Sequence, residues 1–217
     1  MRLLVINPNS SAAVTRRIDA AAQRALLPGE SVTTIAAPFG PELIVTPQDA
    51  RRAEAAVMSA MAERGAGSDG IILASFGDTG LVRVRAGTSV PVVGIARAAF
   101  SVAQTLGDRF AIVSFSPSVA PSLHRIVECY GLSGALAALH CVEGHDWSDP
   151  GAIQDELRGP ITALCAQTAR AGTARSIVLG GGPLAGLAPR IAPEVPAPLI
   201  DGTAAAVAML RSVLARG

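Results

Sequence analysis

The sequence predicts an α/β protein of two similar lobes, each with a parallel sheet, facing one another across a cleft. Short β-branched runs bounded by turn residues alternate with longer Ala/Leu/Arg segments of helical period, the pattern of parallel strands joined by crossover helices. The chain also repeats internally. Arg2-Leu3-Leu4-Val5-Ile6-Asn7 aligns with Arg109-Phe110-Ala111-Ile112-Val113-Ser114, Gly70-Ile71-Ile72-Leu73-Ala74-Ser75 with Ser176-Ile177-Val178-Leu179-Gly180-Gly181, and Val90-Pro91 with Val195-Pro196. A repeat near half the chain is too long for a solenoid unit and implies two pseudo-symmetric, Rossmann-like lobes about a twofold axis. The 217 residues are 50% hydrophobic, with a mean hydropathy of +0.42, enough for one sizeable core or two smaller ones.

Strands are expected at 3–7, 31–36, 70–74, 92–95, 110–114, 176–179 and 199–201, each a short apolar run ending in turn residues. Helices are expected at 12–26, 47–64, 97–106, 118–130, 150–171 and 203–215. In the first of these Val14, Ile18, Ala21 and Ala25 share one face. The repeat divides the chain into a first lobe of residues 1–97 plus 203–217 and a second lobe of residues 98–202.

Composition narrows the function classes. The 18 basic and 17 acidic residues leave a net charge of +1 with no run of like charge, and aromatics are 3%, so neither a phosphate-tracking stripe nor a base-stacking platform is present. Nucleic acid is not an expected partner. Every basic residue is arginine, which excludes Schiff-base chemistry, a pyridoxal anchor and a P-loop lysine. Cys129, Cys141 and Cys165 form neither a disulfide framework nor a zinc pattern, and His140-Cys141 with His145-Asp146 matches no common ligand spacing and reads as a surface loop. His124 falls mid-helix. The opening MRLLVINPNS lacks a signal-peptide h-region, and no apolar stretch approaches the roughly 20 residues of a membrane span. The expectation is a cytoplasmic, soluble homo-oligomer that needs no metal and no cofactor.

Ligands of parallel sheets bind beyond the carboxyl ends of the strands, which draws attention to four exits. Asn7-Pro8-Asn9-Ser10-Ser11 opens a helix and could cap it or hold a carbonyl or anion. In Ser75-Phe76-Gly77-Asp78-Thr79-Gly80 the glycines allow backbone N–H groups to converge on a negative oxygen. Ser75 reads as nucleophile or as hydrogen-bonding group. Leu73 stands where a nucleophile elbow needs glycine, and no His is at hand to activate the hydroxyl. Gly180-Gly181-Gly182-Pro183 at the related exit offers N–H groups and no side chain, and is not a dinucleotide fingerprint. Ser114 and Ser116 lie at the fourth exit.

INPNSS, ASFGDTGL, VPVVGIARAAF, RFAIVSFSPS, IVLGGGPLAGLA and VPAPLIDGTAAAV together resemble the aspartate/glutamate/hydantoin racemase superfamily, most of all its hydantoin racemase branch, across nearly the whole chain. The resemblance implies two α/β lobes and a site between them. Racemases of that superfamily carry one cysteine at each lobe's exit, one to remove the α-proton and one to deliver a proton to the opposite face. Here those positions hold Ser75 and Gly181. A hydroxyl is a far weaker base than a thiol and glycine offers none, so two-cysteine racemisation is not expected.

What the resemblance leaves is a binding apparatus for a carboxylate or a hydantoin-like ring: Asn7, Asn9, Ser10, Phe76, Gly77, Thr79, Ser114, Ser116 and the backbone of Gly181, Gly182 and Pro183, with Phe39 walling the cleft. Ser75 and Asp78, the one carboxylate near an exit, are the expected catalytic residues. The expected activity is lyase- or hydrolase-type chemistry on a small carboxylate or cyclic ureide at an oxyanion-stabilising site. Racemisation by non-cysteine bases, or a silent small-molecule binder, are the alternatives.

Overall fold

Runs such as Leu3-Leu4-Val5-Ile6 and Phe110-Ala111-Ile112-Val113 are apolar at every position because both faces of their sheets are covered. The computed structural model describes residues 1–145 and 147–215. In chain order the first half runs β1 (Arg2–Asn7), α1 (Ala12–Arg24), β2 (Ser31–Ala36), α2 (Pro47–Arg64), β3 (Gly70–Leu73), α3 (Leu81–Ala86), β4 (Val92–Gly94) and α4 (Ile95–Leu106). The second runs β5 (Phe110–Ser114), α5 (Ala120–Cys129), β6 (Leu136–Cys141), α6 (Ile153–Glu156), α7 (Arg158–Arg170), β7 (Ser176–Leu179), α8 (Ala188–Ile191), β8 (Leu199–Ile200) and α9 (Gly202–Leu214). Two parallel sheets result, ordered β2-β1-β3-β4 and β6-β5-β7-β8. Leu3 pairs with Gly70 in one and Phe110 with Ser176 in the other, so the repeat in sequence is a repeat in register.

Strand periodicity sorts the side chains into layers. Leu3, Val5 and Ile72 join Phe110, Ile112 and Val178 in one core that runs from sheet to sheet. Leu4, Ile6, Ile71 and Leu73 face the other way and pack with Val57, Ala60, Leu81 and Val84 of α2 and α3. The helices have the expected stops and starts. Ser11 caps α1 through Val14 N–H, and Thr46 and Asp49 form a reciprocal capping box on α2.

Three local readings are corrected. Residues 136–141, with His140 and Cys141, are the edge strand β6 rather than a loop; Leu136-Ala137-Ala138-Leu139 lacks the β-branched character that marks the other strands. Asp146 lies outside the described residues. The single helix expected at 150–171 breaks at Leu157 into α6 and α7, because Pro160 has no N–H to give the Glu156 carbonyl. A short α3 follows Gly80, where no helix was expected.

The halves interlock through α4 and α9. Helix α4, leaving the first sheet, packs on β7 and β8, while α9, leaving the second, packs on β3 and β4, and the two pack on each other. They cross closely at their starts: a Cβ on Gly202 would lie 2.8 Å from the Ile95 carbonyl oxygen. At its far end α9 is fastened by Arg211, which donates from Nε and Nη2 to the Glu30 carboxylate at 2.8 and 2.7 Å and to the Ala25 carbonyl. No helix among the described residues is long and apolar enough to cross a membrane.

The Arg211 guanidinium holds the Glu30 carboxyl down at about 2, against an ordinary 4.5. A carboxyl depressed in the folded state gives stability that is present above pH 4.5 and lost as pH falls toward 2. Glu30→Gln is expected to lower stability at neutral pH by about 1–2 kcal/mol and to flatten that acid limb, read by urea titration across the pH range.

Candidate active site

Two turns that follow β3 and β7 meet between the sheets. The first closes on itself: Asp78 N–H donates to the Ser75 carbonyl at 3.0 Å and Thr79 N–H to Ser75 Oγ at 3.1 Å. Having accepted from Thr79, the Ser75 hydroxyl keeps its proton for another partner. Gly80 at φ 81° ends the turn and admits α3. In the second turn Gly181 sits at φ 149° and Gly182 approaches the first strand exit, where an added Cβ would stand 3.3 Å from the Ala74 carbonyl oxygen.

Between them lies a cavity of about 250 Å³, room for one small molecule. Asn9, Ser75, Phe76, Gly77, Thr79, Gly181, Gly182 and Pro183 all line it. Asn9 is held by its neighbours. Its Oδ1 accepts from Asn7 Nδ2 at 2.8 Å and from Ser11 N–H at 3.0 Å, which leaves its own Nδ2 with no acceptor among the described residues. Asn7 is fully buried and also donates to Thr15 Oγ1, so it orients Asn9 rather than lining the cavity.

Other expected site residues stand elsewhere. Ser10 donates to the Gly40 carbonyl and Ser114 to the Gly180 carbonyl, each fastening an exit from behind. Ser116 caps a 3-10 turn at Pro117–Val119 and pairs with Ser118. Phe39 is 49% exposed and off the cavity; Ser10, bonding Gly40 and Pro41, turns the segment so that Leu43, Ile44, Val45 and Pro47 form the wall instead.

Asp78 is buried, yet its carboxylate does not line the cavity. Oδ1 accepts from Ala96 N–H at 3.0 Å, and Oδ2 from Arg97 N–H at 3.0 Å and from the Tyr130 hydroxyl at 2.5 Å. The residue is the one non-glycine position with positive φ, 45°, among those described, and this conformation swings the carboxylate behind the turn to cap α4. Burial pushes its carboxyl above the ordinary range against the pull of those three donors. The expected catalytic carboxylate is therefore a helix cap.

The second-lobe wall is supplied by α5 and by Phe115, neither of which the exits alone bring to notice. Leu123, Ile126, Ser122, Arg125 and Cys129 line the cavity from one helix, at spacings of three and four residues that could have marked the face. Cys129, which sequence position places far from the exits, is thus at the cavity after all. Cys165 is buried in α7, where burial pushes its thiol up to about 12, and Cys141 is raised to about 11. Phe115, edge-on to Trp147 at 5.6 Å, covers Gly181: an added Cβ there would meet the ring at 2.7 Å.

The polar inventory is one-sided. The backbone N–H groups of Phe76, Gly77, Gly181 and Gly182 donate to no acceptor among the described residues; Phe76 and Gly182 are buried, where amides are rarely left so, while Gly181 is half-buried and Gly77 exposed. Ser75 Oγ–H, Asn9 Nδ2 and the Arg125 guanidinium add donors. Among the described residues no carboxylate and no imidazole lines the cavity. Leu43, Val45, Phe76, Phe115 and Ile126 supply apolar walls in which such donors act strongly on a negative oxygen. Among the described residues no three His, Cys, Asp or Glu side chains cluster as a metal site would need.

Two parallel α/β lobes with a donor-lined cavity at their strand exits define a protein that holds a small molecule between lobes. The chain belongs to the Asp/Glu/Hydantoin racemase family, which it matches over residues 3–210. It is 34% identical over 224 aligned residues to hydantoin racemase of Paenarthrobacter aurescens, covering 100% of this chain and 92% of that one. Allantoin racemase from Klebsiella pneumoniae superposes with a TM-score of 0.92 at 34% identity, over 100% of this chain and 89% of that one. Unliganded arylmalonate decarboxylase, at 18% identity and a TM-score of 0.70 over 100% and 93% of the two chains, shares the fold.

Gly181→Ala is expected to lower stability by about 1–3 kcal/mol, from the Phe115 contact and the positive φ together. Combined with Phe115→Val, itself costly because that ring is buried, the double variant should lose less than the sum of the two single changes, as read by thermal melting.

Proposed function

We propose that the chain is a racemase-superfamily enzyme that stabilises an enolate-type intermediate of a small carboxylate, formed by loss of carbon dioxide rather than by removal of a proton. One observation carries this reading: among the described residues the cavity is lined by hydrogen-bond donors without an ionisable base of the carboxylate or imidazole kind. Racemisation and hydrolysis both need a group to accept a proton from carbon or water. Decarboxylation needs none, since the carbon–carbon bond breaks heterolytically and leaves its electron pair on the substrate.

A carboxylate with a second carbonyl on the same carbon is the substrate class that fits. Cleavage releases carbon dioxide and delocalises the electron pair onto the remaining carbonyl oxygens, where Ser75 Oγ–H and the free N–H groups of Phe76, Gly77, Gly181 and Gly182 oppose the developing charge. Each such donor is worth about 2.7–4 kcal/mol in a preorganised site. A proton from Cys129 or water then returns to the α-carbon. Asn9, oriented by Asn7, donates to the carboxylate that stays.

A second reading has a specific support: the relatives at 34% identity are named for hydantoin and allantoin, cyclic ureides whose ring carbonyls suit the same donors. In it the chain exchanges the ring α-proton through Cys129, the one thiol that lines the cavity.

The purified protein in deuterated water, with 2-substituted malonates, 5-substituted hydantoins, allantoin, Asp and Glu, separates the readings by NMR. Decarboxylation gives a monoacid carrying deuterium at its α-carbon while the hydantoins and amino acids keep their protons. Exchange at a ureide α-carbon, with the malonates untouched, would replace the first reading by the second. On a malonate that turns over, Ser75→Ala is expected to lower kcat by about 100-fold.

A further inference from the structure

Tyr130 follows α5 directly, and α5 is the helix whose Leu123, Arg125, Ile126 and Cys129 wall the cavity from the second lobe. Its ring is fixed on both sides. The Arg97 guanidinium lies 5.1 Å over its face, and Phe100 meets it edge-on at 6.1 Å. From there the hydroxyl reaches across the lobes to Asp78 Oδ2. Asp78 is the pivot of the turn that carries Ser75 and Thr79: its N–H holds the Ser75 carbonyl on one side while its carboxylate holds the start of α4 on the other. Its positive φ, a conformation that Asp tolerates better than most side chains, is the one that carries the carboxylate to these partners.

We infer that Tyr130 is a positioning residue, whose hydroxyl clamps Asp78 from the opposite lobe and thereby holds the Ser75–Thr79 turn and the α5 wall at a fixed separation. It does not touch the ligand. It acts by fixing where Ser75 Oγ and the Phe76 and Gly77 N–H groups stand relative to the wall that faces them. The inference rests on the reading of that turn as the oxygen-holding turn, given above. Tolerance is narrow at such a site, because a donor displaced by about 1 Å no longer meets the charge that develops.

Tyr130→Phe keeps the ring against Arg97 and Phe100 and removes only the clamp. The expected result is a melting temperature within about 3 °C of the parent, with amide hydrogen exchange accelerated about tenfold in the peptide spanning residues 75–80 and unchanged in β1 and β5. Asp78→Asn, which weakens the α4 cap as well as the clamp, should accelerate the same peptide at least as much, and adding Tyr130→Phe to it should accelerate that peptide little further, since the Tyr130–Asp78 contact is already disturbed. On a malonate substrate, kcat of Tyr130→Phe should fall about tenfold or more with KM altered less than about threefold. Unchanged exchange in the 75–80 peptide, or additive effects in the double variant, overturns the clamp. Exchange is measured without substrate, so a fast 75–80 peptide in a protein that decarboxylates nothing sinks the proposed reaction and leaves the clamp standing. If Asp78→Asn does not fold, exchange in Tyr130→Phe decides alone.

Discussion

Two carboxylates, the buried Asp78 and the half-buried Asp201, tie the lobes together at their crossing helices, and the exit turns take their geometry from them. Each satisfies the start of one of the two helices that cross between the lobes. Asp201 caps α9 through Thr203 and Ala204 N–H and reaches the second exit turn through Gly186 N–H. Asp78 reaches the start of α4 from the first exit turn. The two arrangements are mirror solutions to one demand. In the second lobe the capping residue itself carries the carboxylate and extends it to the turn. In the first lobe the capping position is Gly94 and the turn extends a carboxylate to it, lodged where a side chain on Gly94 would have to be. Burial pushes both carboxyls above the ordinary range, and in each case backbone donors oppose that push.

This explains how much of the fold was legible and where it was not. The parallel sheets, their order of repetition and the crossing helices follow from apolar runs and their recurrence, because a buried parallel strand has no alternative composition. Strand β6 escaped notice because an edge strand with an exposed His140 is free of that demand, and its Ala/Leu content suits a helix equally well. The break between α6 and α7 was in plain view at Pro160 and was masked by the helical character on either side.

Residues that reach the cavity through backbone or short side chains at the exits were legible as its lining: Asn9, Ser75, Gly181 and Gly182 stand where a strand end must place them. Direction was not. Asp78 has the right position in the sequence for catalysis, but one left-handed φ turns its carboxylate away from the cavity and into a helix terminus. Cys129 has the opposite history: it is fifteen residues beyond Ser114, and a helix leaving that exit runs back along the cavity and brings it to the wall. Phe39 and its neighbours show the same limit, since two bonds from Ser10 decide which part of the segment faces inward.

The scaffold is symmetric and the chemistry is not. Equivalent turns end in Ser75 on one side and Gly181 on the other, and the space a side chain at 181 would claim is held by Phe115 backed by Trp147. A symmetric pair of proton-transferring groups would treat the two faces of a planar intermediate alike. Here the first-lobe side of the cavity offers a hydroxyl, and the second-lobe side offers bare amides, an aromatic ring and the Cys129 thiol. Charge on the ligand's oxygens can be opposed from both lobes, because backbone N–H groups are present in each, while proton traffic is confined to the few side chains that carry an exchangeable hydrogen. In the proposed reaction that division lets the cavity oppose charge from both lobes without a matched pair of proton-transferring groups.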